Sequence, residues 1–375
     1  MKITRMKSLT AVLGASALLI TGCGSAGNPA DQVLESAKVD DTSGLVIDGE
    51  QIASAELLEA ARKGTVSWVT SSSTENANLT AERFKAETGV DIKVDRLPAT
   101  KLNERVLSEA GVGRLANDVI TIGDPRFAAE LATKNIFVPY TAGPKHKELA
   151  SMPNVVWADG KYVTAYYTVA AIVYNTQAVK SEDAPKSWND LLDPKWQGKL
   201  GLVSAGAGGA AQGLAAYHEK AFGTEYWTKL AAQKPRVFDA SAVQMDALAR
   251  GEIQAAPVAG INTALAAQHA GAPITIIVPT EGVSGTLNLQ GLTTTGKDNP
   301  AAQLFMNWTM SSAGQKFAAA QGFVSSRTDV QQAPTGDFQL PGAGEKTFVL
   351  YTAEDAEKRG KDVVDRWNKV FGVTG

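Results

Sequence analysis

The sequence predicts an α/β fold with two lobes. From residue 65 onward, short apolar segments typical of strands alternate with segments typical of helices, and this order favours parallel strands joined by right-handed crossovers. The chain has 375 residues, of which 44% are hydrophobic. A chain of this length can bury more than one core, so two lobes are favoured over one compact domain.

The first lobe is expected to alternate between strands and helices. The predicted elements are a strand at 65–69, a helix at 76–88 closed by Gly89, a strand at 90–96, a helix at 101–110 and a strand at 118–122. In such sheets, ligands bind outside the carboxyl ends of the strands. The loops at residues 71–75 and 123–126 lie at those ends and are candidate ligand-binding loops.

A long apolar run at residues 163–175 indicates a strand that passes between the lobes, with the change of lobe near Tyr167 and Thr168. Further on, residues 299–321 are typical of two helices, with Pro300 at a helix start and Gly314 between them. The other segments expected after the crossover are helices at 210–218, 225–232 and 239–250, strands at 253–258, 274–279 and 286–292, and a charged helix within 348–371.

The N-terminus has the features of a secretory signal. Lys2, Arg5 and Lys7 precede a short apolar core at residues 9–20. The following residues, up to Cys23, match the lipobox of bacterial lipoproteins. We therefore expect lipid attachment at Cys23 and a location on the extracytoplasmic face of the cell membrane, the alternative being an ordinary thiol beside a cleavage site.

Acylation of Cys23 would leave the mature chain without a thiol, because it is the only cysteine in the sequence. Disulfides, cysteine catalysis and cysteine metal sites would then be excluded. The signal peptide is expected to occupy residues 1–22. Residues 23–63 are interpreted as a flexible tether and a lead-in helix at 53–63. A random coil of roughly 40 residues has an end-to-end distance of about 35 Å.

The stretch at residues 174–199 has the most distinctive order of motifs. Ser187 is a good N-cap for a short helix that Pro194 would end. A buried strand is expected at 199–203, and it leads into a glycine-rich turn at 204–210. A strand that delivers backbone amides to a helix start is an arrangement that binds anions.

The same stretch carries a family resemblance. Tyr-Asn-Thr at 174–176 is followed by Trp-Asn-Asp-Leu at 188–191 and Asp-Pro-Lys-Trp-Gln-Gly-Lys at 193–199. This order resembles the extracellular solute-binding proteins of ABC importers, in the branch that includes binding proteins for ferric ion, phosphonates and sugar phosphates. The match is long and ordered, but it does not specify the ligand.

The resemblance implies a type II periplasmic-binding-protein fold, or Venus flytrap, with two crossover strands. Lobe 1 would comprise residues 64–167 and 290–335, and lobe 2 residues 168–289 and 336–375. It also implies a monomer that captures a small molecule and delivers it to an ABC permease, without a cofactor and without enzyme activity.

Each lobe offers a small-residue loop between a strand and a helix start. The candidates are Ser71, Ser72 and Ser73 in lobe 1, and Gly206, Ala207 and Gly208 in lobe 2. Facing helix starts with free amides and hydroxyls would hold an oxyanion without a cationic side chain. The alternative is that the serines cap helices and the glycines permit close packing.

Three further residues are candidate ligand contacts. Ser241 lies at the start of a helix, and the resemblance places its counterpart in the cleft. Tyr167, with Tyr166 beside it, could close over a ligand or pack in the core. Asp124 could bind an amine on the ligand, although an aspartate before proline more often forms a turn.

The sequence departs from the ferric-ion binding pattern. Where the resemblance implies a histidine, a carboxylate and a pair of tyrosines, our alignment gives Ser73, Gly123 beside Asp124, and residues 260–262, which are Gly-Ile-Asn. The histidines His146, His218 and His269 fall outside the expected cleft loops. Ferric ion would have too few ligands, so no metal site is predicted.

The favoured function is therefore capture of a small organic anion, a phosphonate or phosphate ester, for an ABC importer. Capture of ferric iron or of a polyamine is the alternative within the same class. An enzyme on this fold and an adhesin without a small ligand are alternatives from other classes, although no catalytic spacing is visible. The net charge of −3 gives no basic field for nucleic acid.

Overall fold

The computed structural model describes residues 37–332, 334–335 and 337–373. The signal peptide and Cys23 lie outside these residues. The strands are β1 (Val39–Asp40), β2 (Gly44–Ile47), β3 (Glu50–Ser54), β4 (Thr65–Thr70), β5 (Asp91–Arg96), β6 (Val119–Ile122), β7 (Val156–Trp157), β8 (Tyr162–Val169), β9 (Ala171–Asn175), β10 (Gly201–Val203), β11 (Arg236–Phe238), β12 (Ala255–Val258), β13 (Ile274–Ile277), β14 (Val283–Leu292), β15 (Val324–Ser325) and β16 (Phe348–Tyr351). The helices are α1 (Ala55–Ala61), α2 (Thr74–Thr88), α3 (Ala99–Gly111), α4 (Pro125–Thr133), α5 (His146–Ser151), α6 (Gly209–Phe222), α7 (Thr224–Ala232), α8 (Ser241–Ala249), α9 (Ile261–His269), α10 (Pro300–Thr309), α11 (Ser312–Ala320) and α12 (Ala353–Phe371).

The flexible tether predicted for residues 23–63 is wrong for its second half. Strands β1, β2 and β3 form an antiparallel sheet, with Asp48 and Gly49 at positive φ in the turn between β2 and β3. The side chains of Leu45, Ile47 and Ile52 are buried in the core of the first lobe. Burial of these side chains orders the segment, and α1 follows it as the expected lead-in helix.

The largest sheet has the strand order β15-β8-β14-β6-β4-β5, with β16 paired to β14 and β7 to β8. Strand β4 runs parallel to β5 and β6, and β14 runs antiparallel to β6 and β8. The α/β prediction is confirmed. The sheet is mixed because the long strand β14 runs against β4, β5, β6 and β8.

The two long strands form the connection between the lobes. They pair with each other through Tyr167 opposite Leu287 and Val169 opposite Gly285. The crossover run predicted at residues 163–175 is in fact two strands separated at Ala170, whose amide donates to the Ser284 carbonyl. Pairing of this run with β14 continues through Val169, and the change of lobe near Tyr167 and Thr168 stays a prediction.

The second lobe contains the sheet β12-β9-β13, in which all neighbours are antiparallel, and the parallel pair β10–β11. A parallel bridge between Leu200 and Ala255 places β10 beside β12. The carboxyl ends of β10, β11 and β12 therefore lie on one edge. The C-terminal helix α12 packs on α6 and α7 and also contacts α4 of the first lobe.

The stretch at 174–199 packs into the second lobe through its tryptophans. Trp188 is fully buried, and its indole nitrogen donates to the Gly282 carbonyl just before β14. The single helix predicted after Ser187 is replaced by two short 3₁₀ turns, Asn189–Leu192 and Pro194–Trp196. The cap is as predicted, since Ser187 Oγ accepts from the Asp190 amide at 3.1 Å.

The helix break predicted at Gly314 lies elsewhere. Helix α10 ends at Thr309 and α11 begins at Ser312, so Gly314 is inside the second helix. A Cβ added at Gly314 would lie 2.2 Å from the Trp308 carbonyl oxygen. The glycine is therefore needed for the close approach of two helices and does not separate them.

Candidate functional site

The two lobes meet at the carboxyl ends of their strands. In the first lobe, β4 and β6 end there and lead into α2 and α4. In the second lobe, β10, β11 and β12 lead into α6, α8 and α9. A Cβ added at Gly209 would lie 2.7 Å from the Gly123 carbonyl oxygen, and one at Gly260 would lie 3.2 Å from Thr168 Cγ2. We call the space between these edges the interlobe cleft.

The serines of the loop after β4 have different hydrogen-bond partners. Ser73 caps α2, because its Oγ accepts from the Asn76 amide at 3.2 Å, and the Ser71 amide donates to the Thr121 carbonyl. Ser72 Oγ instead lies 3.1 Å from Tyr166 Oη. The helix-cap alternative therefore describes Ser73, and Ser72 is the serine that faces the crossover.

The two crossover tyrosines point to opposite faces of β8, as alternation along a strand requires. Tyr167 is 2% exposed and packs on Phe348 with ring centroids 5.3 Å apart; burial raises its pKa to about 12. Tyr166 packs on Phe323, with ring centroids 4.2 Å apart and the ring planes tilted by 35°. Burial raises the pKa of Tyr166, opposed by its hydrogen bond with Ser72. Tyr166 is therefore the tyrosine beside the cleft.

The glycine-rich turn of the second lobe uses two of the amides that the sequence suggested were free. The Gly206 amide donates to Ser204 Oγ at 3.3 Å, and the Ala207 amide donates to the Ser204 carbonyl at 2.9 Å. These bonds form a 3₁₀ turn that ends before Gly208. The amides of Gly206 and Ala207 are thus used within the turn, the next helix start lies at Gly208–Gly209, and anion binding by this loop stays a prediction.

Three helices of the second lobe begin at the cleft edge without a side-chain cap. Helix α6 has Gly208 at its N-cap, α8 has Ala240 before Ser241, and α9 has Gly260. Uncapped N-termini present free N–H groups and a partial positive charge. The start of α9 was missed as a binding element, although Gly260 before an apolar helical segment was a signal for it.

The helices of the first lobe begin differently. Asp124 caps α4 by accepting from the Arg126 amide at 2.9 Å, and it forms an ion pair with the Arg126 side chain at 3.3 Å. The turn-forming alternative therefore accounts for Asp124, whose charge is already compensated. Because Ser73 and Asp124 cap their own helices, the uncapped helix starts at the cleft belong to the second lobe.

The crossover strands supply a polar pair at the base of the cleft. Asn288 Nδ2 donates to Thr168 Oγ1 at 2.8 Å, and both side chains are half-buried. Asn288 Oδ1 also lies 3.8 Å from the position of a Cβ on Gly123. This pair was not predicted, and its signal is a polar residue within the long apolar strand β14.

The histidines lie apart from these groups. His218 is buried against Trp188, with ring centroids 4.7 Å apart, and burial lowers its pKa to about 3. The pKa of His269, at the end of α9, is lowered by burial, and the negative charge of Glu75 offsets only part of this shift. Within the described ranges, no three His, Cys, Asp or Glu side chains are grouped so that they could hold a metal ion.

In residues 37–332, 334–335 and 337–373, no helix combines the length and the apolar character that crossing a bilayer requires.

Comparison with known proteins identifies the family. The model of the family described as bacterial extracellular solute-binding protein matches residues 80–341, more than half of the chain. An uncharacterized protein of Haemophilus influenzae is 25% identical over 249 residues, which cover 60% of this chain and 71% of that protein.

Solved structures show the same fold. Iron-bound HitA from Pseudomonas aeruginosa has a TM-score of 0.61 at 19% identity, over 82% of this chain and 99% of HitA. AfuA from Actinobacillus pleuropneumoniae, with fructose-6-phosphate bound, has a TM-score of 0.62 at 20% identity, over 83% of this chain and 100% of AfuA. A substrate-binding protein of an ABC transporter from Agrobacterium tumefaciens has a TM-score of 0.65 at 14% identity, over 82% of this chain and 94% of that protein.

These likenesses confirm the type II periplasmic-binding-protein fold, with the cleft between two lobes. The order of motifs at residues 174–199, the two crossover strands and the family match agree with one another. The chain belongs to the bacterial extracellular solute-binding protein family.

Proposed function

We propose that this protein captures a small organic anion, a phosphonate or a phosphate ester, and delivers it to an ABC permease. The observation that carries the proposal is the set of three uncapped helix starts, α6, α8 and α9, on one edge of the cleft. Ser72 and the Asn288–Thr168 pair add hydroxyl and amide groups opposite that edge.

The charge arrangement favours an anion over a cation. A helix N-terminus stabilises a negative group by about 0.3–1 kcal/mol when exposed and up to about 2 kcal/mol when partly buried. A polyamine would be repelled by the same helix ends and would need free carboxylates. Of the two carboxylates in the cleft loops of the first lobe, Asp124 is paired with Arg126, which leaves Glu75 at the start of α2 and too few negative groups for a polyamine.

Ferric iron is a weaker candidate because of the donor groups present. HitA binds iron and AfuA binds fructose-6-phosphate, so the fold accommodates either kind of solute. In this chain Tyr167 is buried in the core, and Tyr166 shares its hydroxyl with Ser72. A hard ferric ion prefers several oxygen anions, which this cleft does not concentrate.

Lipid attachment at Cys23 would hold the receptor at the extracytoplasmic face of the membrane, near its permease. The lobes would close about β8 and β14, and the permease would recognise the closed form. This part of the proposal rests on the lipobox match and on the family.

Thermal-shift measurements and calorimetry on the mature soluble protein test the proposal. The panel is 2-aminoethylphosphonate, fructose-6-phosphate, glycerol-3-phosphate, spermidine and ferric citrate. We expect stabilisation by at least one phosphonate or phosphate ester, growing with ligand concentration as mass action requires. Stabilisation by ferric citrate alone, or by spermidine alone, would overturn the proposal.

A further inference from the structure

The edge strand of the main sheet ends with an arginine that the proposed site has not used. Arg96 is the last residue of β5 and is exposed. Its Nε donates to the Ser72 carbonyl at 3.1 Å. Among the residues that the structure describes, no carboxylate lies within 4.0 Å of its guanidinium, whereas Arg105 and Arg126 in the same lobe are both ion-paired.

The bond with Ser72 fixes one side of the guanidinium and leaves the other side open. In the described part of the chain, its two terminal nitrogens donate to no protein group. A planar fork of N–H donors matches the two oxygens of a carboxylate or phosphate, and a fork that is already oriented loses less entropy on binding. Arg96 is thus arranged to bind an anion from the solvent.

The position of Arg96 relative to the helix starts can be read from the strand register. Arg96 is opposite Thr70 on β4, and Thr70 is opposite Thr121 on β6. Neighbouring strands lie about 4.8 Å apart, so the backbone of Arg96 is about 10 Å from that of Thr121. Gly123 follows two residues later and touches the start of α6. The serine loop lies between the two positive groups.

We propose that Arg96 is a second anion-binding residue of the cleft, and that the ligand carries two separate acidic groups. The helix starts of the second lobe bind one acidic group, and Arg96, held by Ser72, binds the other. The substrate class is then an organic ligand with an acidic group at each end, such as a sugar bisphosphate or a phosphonate with a distant carboxylate. This inference rests on the proposed function.

The test compares matched ligands that differ by one acidic group. The pairs are fructose-6-phosphate with fructose-1,6-bisphosphate, and pentylphosphonate with 6-phosphonohexanoate, which adds a carboxylate at the far end of the same chain. Calorimetry is carried out on the wild type, Arg96→Gln, Arg96→Lys and the control Arg114→Gln, which removes another exposed arginine. Equal melting temperatures of the four unliganded proteins show that the fold is retained.

We expect the wild type to bind the doubly acidic member of a pair about tenfold to a hundredfold more tightly, the range for one charge-assisted hydrogen-bonding contact. Arg96→Gln should abolish this preference, because it removes both the charge and the fork of donors. Arg96→Lys should keep part of the preference, because it retains the charge without the fork. Arg114→Gln should behave as the wild type.

Three results would overturn the inference. If the wild type binds a singly acidic ligand and gains nothing from the second group, Arg96 has no such role, although the proposed function stands. The same holds if Arg96→Gln keeps the full preference. If no member of either pair binds the wild type, the proposed function and this inference fail together.

Discussion

The hydroxyl of Ser72 lies 3.1 Å from the hydroxyl of Tyr166, so the serine loop of lobe 1 is joined to the first crossover strand. Because β8 leads directly into lobe 2, this contact couples a cleft residue to the connection between the lobes. Tyr166 is in turn held by stacking on Phe323. If the proposed function holds, a ligand that displaces or strengthens this hydrogen bond would act on the connection between the lobes as well as on the serine loop.

The first prediction concerns this pair. Tyr166→Phe should weaken anion binding about threefold to tenfold, because Ser72 loses the partner that orients it and one hydrogen bond contributes about 0.5–1.5 kcal/mol. Calorimetry with the best ligand of the panel measures the effect. Tyr167→Phe is the matched control, since Tyr167 is on the opposite face of β8. An equal effect of both substitutions would contradict the assignment.

The second prediction concerns the contact between the lobes. Gly209→Ala places a Cβ 2.7 Å from the Gly123 carbonyl oxygen, which is too close, so the lobes must move apart. We expect ligand affinity to fall about tenfold or more while the free energy of unfolding changes little. Small-angle scattering should show a larger radius of gyration with saturating ligand than in the wild type.

Gly111→Ala is the control for Gly209→Ala, because nothing lies within 4 Å of a Cβ at that position and it is at the end of α3. It should leave affinity and shape unchanged. Wild-type affinity in Gly209→Ala would show that the lobes do not approach each other at this point when ligand is bound.

The third prediction concerns the N-terminal sheet. Arg327 is 5% exposed; its side chain pairs with Glu50 of β3 at 2.7 Å and with Asp329, and it donates to the Met310 carbonyl. Glu50→Ala should lower the free energy of unfolding by about 2–4 kcal/mol, because it leaves a buried charge with one partner fewer. Urea denaturation measures the change.

Glu56→Ala is the control for Glu50→Ala, since Glu56 is an exposed residue of α1, and it should cost less than about 0.5 kcal/mol. Ligand affinity should be unaffected by either substitution, because the N-terminal sheet packs on the first lobe away from the cleft. Equal stabilities of the two variants would support the tether that the sequence alone suggested.

The sequence was most informative where local chemistry decides the structure. The alternation of strands and helices, the Ser187 cap and the family motif at 174–199 all depend on neighbouring residues, and the structure agrees with them. Residues 44–54 also carried a local signal, Asp48-Gly49 between alternating apolar residues, which is typical of a hairpin. The polar residues on either side of this signal favoured the tether instead. The sequence does not show that β2 and β3 are ordered by packing on a distant part of lobe 1.

The site was harder to predict, because its features depend on tertiary contacts. Strand alternation shows that Tyr166 and Tyr167 face opposite ways, but both faces of β8 are covered, so the sequence cannot say which face is the cleft. Whether Ser72 or Ser73 caps α2 depends on which hydroxyl reaches the Asn76 amide. The role of Arg96 depends on the register of β5 with β4, which spacing along the chain does not reveal.

The last prediction concerns the pH dependence of stability. His218 is buried among aromatic rings, its Nε2 has no hydrogen-bond partner in the described structure, and burial lowers its pKa to about 3, from an ordinary value of 6.5. The unfolded chain therefore binds a proton below about pH 6.5 that the folded chain does not bind. The contribution of neutral His218 to stability is complete above pH 6.5. It decreases by about 1.4 kcal/mol per pH unit as the pH falls from there toward 3.

Urea denaturation of the wild type and of His218→Gln at pH 7.0, 5.5 and 4.5 tests this linkage. Glutamine is neutral throughout, so the variant should be less stable than the wild type at pH 7.0, because packing on Trp188 is lost. As the pH falls, the free energy of unfolding should decrease less steeply for the variant than for the wild type. The two slopes should differ by about 1.4 kcal/mol per pH unit, which is the contribution of one proton. Carboxylates add their own slope to both proteins equally, so the difference between the two curves isolates the histidine. Parallel curves from pH 7.0 to 4.5 would mean that His218 is protonated in the folded protein, and the buried environment described for it would be wrong.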